Sequence, residues 1–247
     1  MPLFQWAMVR KNAQNQLDAL PKFVTDMVMP EREGGYLKGQ ETRELILRTA
    51  LQIMIEEGYR AMSMRRVAAA SGMKFGNLTY HYRTREELAR ELLDAVIRGY
   101  EIEFATIMHM PGVAPEERLR RLCTLILDDI RSKKTTRFFP ELWALSNHDP
   151  FVLERVQELY VRARAPLVEI IDDMRPDLPV AEREILSLFI SASMEGMTIF
   201  AGHGKPFEPR MPEIQQLAVL SGSVAKIVKL EHAWRRLDGR NDDGFQV

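Results

Sequence analysis

From about Gln40 the apolar positions take a helical period. Leu47, Ala50, Leu51 and Met54 fall at i, i+3, i+4 and i+7 and stop at Gly58, which predicts a first helix. A shorter stripe of Met64, Val67, Ala68 and Ser71 ends at Gly72, and a third short segment runs from about Phe75 to Tyr82, so two short helices meet across a glycine turn. Thr84, with Glu87 three residues on, forms a capping box that opens a long helix carrying Leu88, Leu92, Ala95, Val96 and Gly99 toward Met108. Beyond Pro111, Leu119, Leu122, Cys123, Ile126 and Ile130 make another stripe, and a short helix is expected around Phe138 to Ser146. Asp149-Pro150 then reads as N-cap and N1 of a long helix reaching Met174, whose interior Pro166 predicts a kink.

Two later helices, at about 181–203 and 213–236, carry apolar residues on more than one face. The first has Ile185, Leu188, Phe189, Ala192, Gly196, Ile199 and Phe200, and also Leu186, Ile190 and Met194; the second has Ile214, Leu217, Ala218, Ser221, Ala225 and Val228, and also Leu220, Val224 and Ile227. One stripe suffices to pack on the home core, so the other predicts a homodimer interface through Ile185, Phe189, Ala192, Gly196, Leu217, Val224 and Val228, or else a central helix buried all round. Residues 1–39 read as an N-terminal extension that either docks or is disordered: Leu17, Leu20, Val24 and Met27 share a helical spacing that Pro21 interrupts and Pro30 with Gly34-Gly35 closes. Its Arg10, Lys11 and Lys22 suit either a minor-groove arm or a plain tail, and residues 238–247 read as a C-terminal tail. With no strand pattern, linker or repeat, the chain is expected to be all-α.

At 247 residues, 46% of them hydrophobic, the chain can bury a core across a small module and a larger one. Its formal net charge of −1 hides an asymmetry, because residues 60–85 hold Arg60, Arg65, Arg66, Lys74, Arg83 and Arg85 and no acid, leaving the rest acidic. Such a cluster fits a nucleic-acid footprint or a solvated basic face. The one cysteine, Cys123, excludes an intrachain disulfide and a cysteine-based zinc cluster and fits a reducing compartment. Gln5, Arg10, Lys11 and Asn12 break any secretory-type run, and no stretch approaches the roughly 18 apolar residues of a membrane helix, so a cytoplasmic protein without a membrane partner is expected. His109, His148, His203 and His232 are scattered, and no HExxH, GxSxG, P-loop or GxGxxG pattern occurs, so neither enzyme nor metal nor cofactor is expected.

Residues 40–98 carry a specific constellation. Glu57-Gly58-Tyr59 ends the first helix, and Ser63-Met64-Arg65-Arg66-Val67-Ala68-Ala69-Ala70-Ser71-Gly72 spans the second. Gly76-Asn77-Leu78-Thr79-Tyr80-His81-Tyr82 follows, and Arg85-Glu86-Glu87-Leu88 opens the fourth helix. In this order the residues resemble the TetR family of bacterial transcriptional regulators. The resemblance implies an N-terminal three-helix helix-turn-helix DNA-binding domain, here 40–86, followed by a helical effector-binding and dimerisation domain, here 87–237. Two departures stand out: Thr79 replaces a tyrosine usual in the family, and Lys74 occupies a position where the family often has a serine N-cap.

The physical reading runs beside the resemblance. A short third helix puts Phe75, Gly76 and Asn77 nearest base edges in a major groove. Thr79, Tyr80 and His81 supply phosphate donors, Lys74 and Arg85 neutralise charge, and Arg65 resembles a family position that reaches a base, whereas Tyr82 and Leu78 belong to the core. Phe104, Met108, Cys123, Phe138, Phe139, Trp143 and Tyr160 concentrate large adaptable side chains between the helix after Thr84 and the helices near 119–174, which suits an apolar or aromatic small-molecule effector. The function implied is a dimeric repressor released from a pseudo-palindromic double-stranded operator by that effector. The alternative is a helical DNA-binding regulator or adapter controlled by a partner protein.

Overall fold

The computed structural model describes residues 27–29 and 37–217. Among these the architecture is all-helical, with nine α-helices: α1 (Leu37–Glu57), α2 (Met64–Ala70), α3 (Phe75–His81), α4 (Arg85–Met108), α5 (Pro115–Ile130), α6 (Lys133–Ser146), α7 (Pro150–Met174), α8 (Val180–Ala201) and α9 (Met211–Gln215). Short 3-10 turns at Tyr59–Ala61 and Glu208–Arg210 lead into α2 and α9. The expected last helix is described only as far as residue 217, so Val224 and Val228 lie outside the described residues, as do the tail 238–247 and most of the extension 1–39.

Local chemistry sets most boundaries. Ser63 caps α2 by accepting the Arg66 N–H at 3.2 Å, and Asp149 caps α7 by accepting from Phe151 and Val152 at 3.0 and 3.3 Å, with Pro150 at N1. Thr84 accepts the Glu87 N–H at 3.1 Å, but Glu87 reaches back to the N–H of Arg83 at 2.8 Å, one residue outside the cap that a capping box would close on. The helix expected from Phe138 instead starts at Lys133. Ser132 caps it by accepting from Thr135 at 3.1 Å, and the turn added is polar on its surface and carries no apolar period. The expected kink at Pro166 does not interrupt α7, which stays helical on both sides of that residue.

Two apolar cores result. The first joins Ile46, Leu47, Ala50 and Met54 of α1 to Val67, Leu78, Tyr82, Leu88 and Leu92, and continues into Phe138, Leu142, Val152 and Leu159 of α6 and α7. It therefore crosses the sequence boundary at residues 86 and 87, so the first helices and the body share one interior. The second core gathers Phe104, Ile107, Leu119, Leu122, Leu167, Ile170, Leu186 and Ile190 between α4, α5, α7 and α8. Tyr100 packs against both. Part of the extension is docked: Met27 is buried in the first core, and the Val28 N–H donates to the Ala95 carbonyl at 2.8 Å. Removing the cap of α4 is predicted to cost about 1 kcal/mol. Thr84→Ala should lower the urea midpoint with an unchanged m-value, measured by circular dichroism.

Candidate nucleic-acid interface and effector cavity

The turn between α2 and α3 reverses at Gly72, whose φ of +70° lies in the left-handed region, and the Met73 N–H closes it on the Ala68 carbonyl at 2.9 Å. Leu78 and Tyr82 anchor α3 inward, both almost fully buried. Phe75 and Tyr80 point outward at 48% and 85% exposure, and Lys74, Gly76 and Asn77 are exposed with them. Lys74 stands at the N-cap of α3 with no side-chain hydrogen bond to the helix. A Cβ built on Gly76 would meet nothing within 4 Å.

The other DNA candidates divide. Arg65 is exposed and makes no ion pair among the described residues. Thr79 is half-buried and its hydroxyl donates back to the Gly76 carbonyl at 3.1 Å. His81 packs edge-on to Tyr80, and partial burial together with the Arg43 guanidinium lowers its pKa, so at neutral pH it is a hydrogen-bonding group and not a cation. Arg85 is committed inside the protein: it donates to the Tyr59 carbonyl at 2.7 Å and lies 4.0 Å over the Tyr59 ring. Arg66 is likewise held, by Glu57 at 2.5 and 3.1 Å. Part of the basic segment thus ties α4 and α2 to the end of α1.

In the body, a cavity of about 50 Å³ lies between α4, α5, α6, α7 and α8. Of the expected effector residues, Phe104, Phe139 and Tyr160 line it. Met108 and Cys123 are buried in the second core and Phe138 in the first. Burial pushes the Cys123 thiol up to about 12, which leaves it unreactive. Trp143 stands behind Tyr160, donating to its hydroxyl at 2.8 Å, and faces an outer groove with Leu188, Ala192 and Gly196.

Sequence reasoning missed the polar groups of this cavity. Asp129 is buried and accepts from the hydroxyls of Tyr100 at 2.6 Å and Thr135 at 2.5 Å, with the buried Lys134 ammonium 3.6 Å from its other oxygen. Glu195, hydrogen-bonded to Tyr160, has its pKa raised to about 7, first by burial and then by the charge of Asp129. Burial and Glu195 in turn raise the Tyr160 phenol. Acids inside a helical body have no signature at this distance in sequence: Asp129 sits in an ordinary polar run, and Glu195 amid small and apolar residues.

The remaining candidates lie on α8. Leu186, Ile190 and Met194 face the second core, whereas Ile185, Leu188, Phe189, Ile199 and Phe200 are all more than half exposed and Ala192 is exposed beside them. A Cβ on Gly196 would meet nothing within 4 Å. Leu217 is also exposed. By length and composition α8 is the one helix among the described residues long and apolar enough to cross a membrane, which the sequence reading did not anticipate, although its inner face is part of the second core.

A short helix presented outward beyond a supporting helix, with a larger helical body behind it, is the arrangement of a helix-turn-helix DNA-binding protein. Residues 46–92 match the family described as bacterial regulatory proteins, tetR family, and residues 115–229 match the one described as BetI-type transcriptional repressor, C-terminal. The chain belongs to the TetR family of transcriptional regulators. Similar solved structures include a protein from Saccharomonospora viridis in complex with choline, with 19% identity over 72% of this chain and 95% of that one and a TM-score of 0.60. The ketosteroid transcriptional regulator KstR2 of Mycobacterium tuberculosis has 20% identity over 79% and 96% of the two chains, with a TM-score of 0.52. The fatty acid degradation regulator FadR from Bacillus halodurans has 13% identity over 82% and 98%, with a TM-score of 0.59. At these identities the likeness is one of fold. No curated protein sequence matches the chain.

The raised Glu195 pKa carries a stability consequence. Between its ordinary value of 4.5 and about 7 the folded protein binds the proton that the unfolded chain has released, so this group's contribution to stability falls as pH rises through that window. Glu195→Gln, which stays neutral, should flatten the decline of melting temperature from about pH 5 to about pH 8. An identical pH profile in the variant would show that Glu195 titrates as an ordinary carboxyl.

Proposed function

We propose that this TetR-family regulator is a cytoplasmic repressor that binds a pseudo-palindromic double-stranded operator as a homodimer and leaves it when a small-molecule effector occupies the cavity. Residues 40–86 are the reading head in this proposal, and residues 87–237 the effector-binding and dimerisation body. The observation that carries it is the outward face of α3. Gly76 costs a helix roughly 0.5–1 kcal/mol relative to alanine, yet nothing in the protein needs the space that its missing side chain leaves. Close approach of an external surface explains the glycine, and exposed Phe75 and Asn77 on either side give that surface base edges to meet. Lys74, Arg65, Thr79, Tyr80 and His81 then face phosphates, Lys74 and Arg65 as cations and the others as hydrogen-bonding groups.

Dimerisation is assigned to the exposed face of α8, with Ile185, Phe189, Ala192 and Gly196 at its centre, since a contiguous apolar surface of this kind calls for a partner. A small-molecule effector is supported by the cavity and by the choline held in the S. viridis relative of this fold. The coupling follows from α6. Its Thr135 and Phe139 form one wall of the cavity, while Lys133, Arg137 and Glu141 grip the end of α1. Lys133 contacts both Glu56 oxygens at 2.6 Å, Arg137 reaches the Ile55 carbonyl at 3.4 Å, and Glu141 accepts the Tyr59 N–H at 3.0 Å. A cavity of about 50 Å³ is well below the roughly 150 Å³ that takes up a benzene. A ligand must therefore spread its walls, and moving α6 moves the head that α6 holds.

Three variants test the proposal by mobility shift on DNA upstream of the protein's own gene, at several salt concentrations. Gly76→Ala should leave the melting temperature equal or higher and weaken operator binding by roughly tenfold or more. Lys74→Ala should flatten the log–log salt slope by about one, whereas Arg85→Ala should lower thermal stability. Unchanged operator binding in both Gly76→Ala and Lys74→Ala would remove α3 from the DNA. For the dimer, Gly196→Trp has room within the protomer, so it should keep the helical content and sediment as a monomer where the native chain sediments as a dimer. A native monomer at micromolar concentration would contradict the assignment.

A further inference from the structure

We propose that the effector is a small organic ammonium ion, its charge set against Glu195 and its apolar body packed among Tyr100, Phe104, Phe139 and Tyr160. This rests on the effector reading above and specifies its chemistry, which the sequence placed among neutral apolar and aromatic molecules.

The walls come first. Tyr100 lies 6.0 Å from Phe104 and 5.8 Å from Phe139, centroid to centroid, so three rings make a continuous aromatic surface, and Tyr160 closes it from α7. Ring faces attract cations, and this surface already holds one: the Lys134 ammonium lies 5.1 Å from the centre of the Tyr100 ring.

The charges decide the sign of the ligand. Two carboxyls line the cavity, and they differ. Asp129 is balanced by Lys134 and by two hydroxyl donors. Glu195 has Tyr160 as its hydrogen-bond partner and no ion pair among the described residues. Glu101, at the rim, is held by Arg162 at 2.7 Å. Arg164 from α7 lines both the cavity and the outer groove without an ion pair to Glu195. Facing Glu195 are thus Tyr100 and Glu101 from α4, Asp129 from α5, Lys134 and Trp143 from α6, and Tyr160 and Arg164 from α7. A neutral ligand would leave Glu195 in apolar surroundings, and an anion would add a third negative charge beside Asp129. An ammonium ion supplies the charge that ionised Glu195 lacks, and by favouring that ionised form it displaces the carboxyl proton to solvent.

A matched set of probes on the full-length native protein tests this: butylammonium, butan-1-ol and butyrate, which share an apolar body and differ in charge. Isothermal titration near pH 7, in two buffers of different ionisation enthalpy, is run beside operator release on the same samples. Butylammonium should bind at least roughly tenfold more tightly than butanol, with release of a fraction of a proton, and Glu195→Gln should abolish both the preference and the proton release while leaving butanol binding unchanged. Butanol binding as tightly as butylammonium, or butyrate binding in preference through Arg164, would overturn the cation assignment; if operator release accompanies either, the effector reading stands. No binding by any probe up to about 10 mM also overturns the assignment. Butylammonium bound through Glu195 with the operator fully retained supports the cation site and removes the release reading.

Discussion

The packing of α6 against the end of α1 is the contact on which the rest of the arrangement depends. It is both apolar and ionic. Phe138 and Leu142 continue the core begun by Ile46 and Leu47, and Lys133, Arg137 and Glu141 fasten its edge to Glu56, Ile55 and Tyr59. The exposed ion pairs of that edge contribute little individually, so the buried rings supply the adhesion and the charged groups set the register. Glu141 is held to one position by Gly58, whose φ of +86° favours glycine and whose missing Cβ leaves only 3.1 Å to the carboxylate.

Given that contact, the chain has two mechanical links between head and body. One is covalent, through α4, which begins beside the turn at Tyr59 and ends in the second core. The other runs through α6. The buried ion pair of Arg43 and Glu91 locks α1 to α4, so the head follows both helices as one unit. Because both helices also form cavity walls, the space between them and the orientation of α3 are one variable, read at two places.

Much of this was legible in sequence wherever a local rule decides the outcome. The caps at Ser63, Thr84 and Asp149, the glycine turn at Gly72 and the apolar stripes of α1, α4 and α5 need only their neighbours, and the helices begin and end close to where those residues place them. The TetR motif added what periodicity lacks, the identity of the outward helix. What stayed hidden depends on partners far along the chain. Arg85 reads as one more cation in a basic run until Tyr59, twenty-six residues earlier, is seen beneath it. The start of α6 was missed because its first turn turns polar atoms toward Asp129 and Glu56. Aromatic residues were a fair guide to the cavity only in part, since burial treats Phe138 and Phe139 alike and only the direction of each ring separates core from wall.

The narrowness of the cavity bears on how such a protein measures its surroundings. A preformed, open site would report the concentration of anything that fits. A closed one subtracts the work of separating packed helices from every ligand's binding free energy, so the apparent affinity falls by the fraction of molecules already open. Weak or undersized compounds then fail to register at all, and the response begins only where a well-matched ligand is abundant. The same tight packing that stabilises the body thereby acts as a noise filter, setting the level below which the protein stays silent.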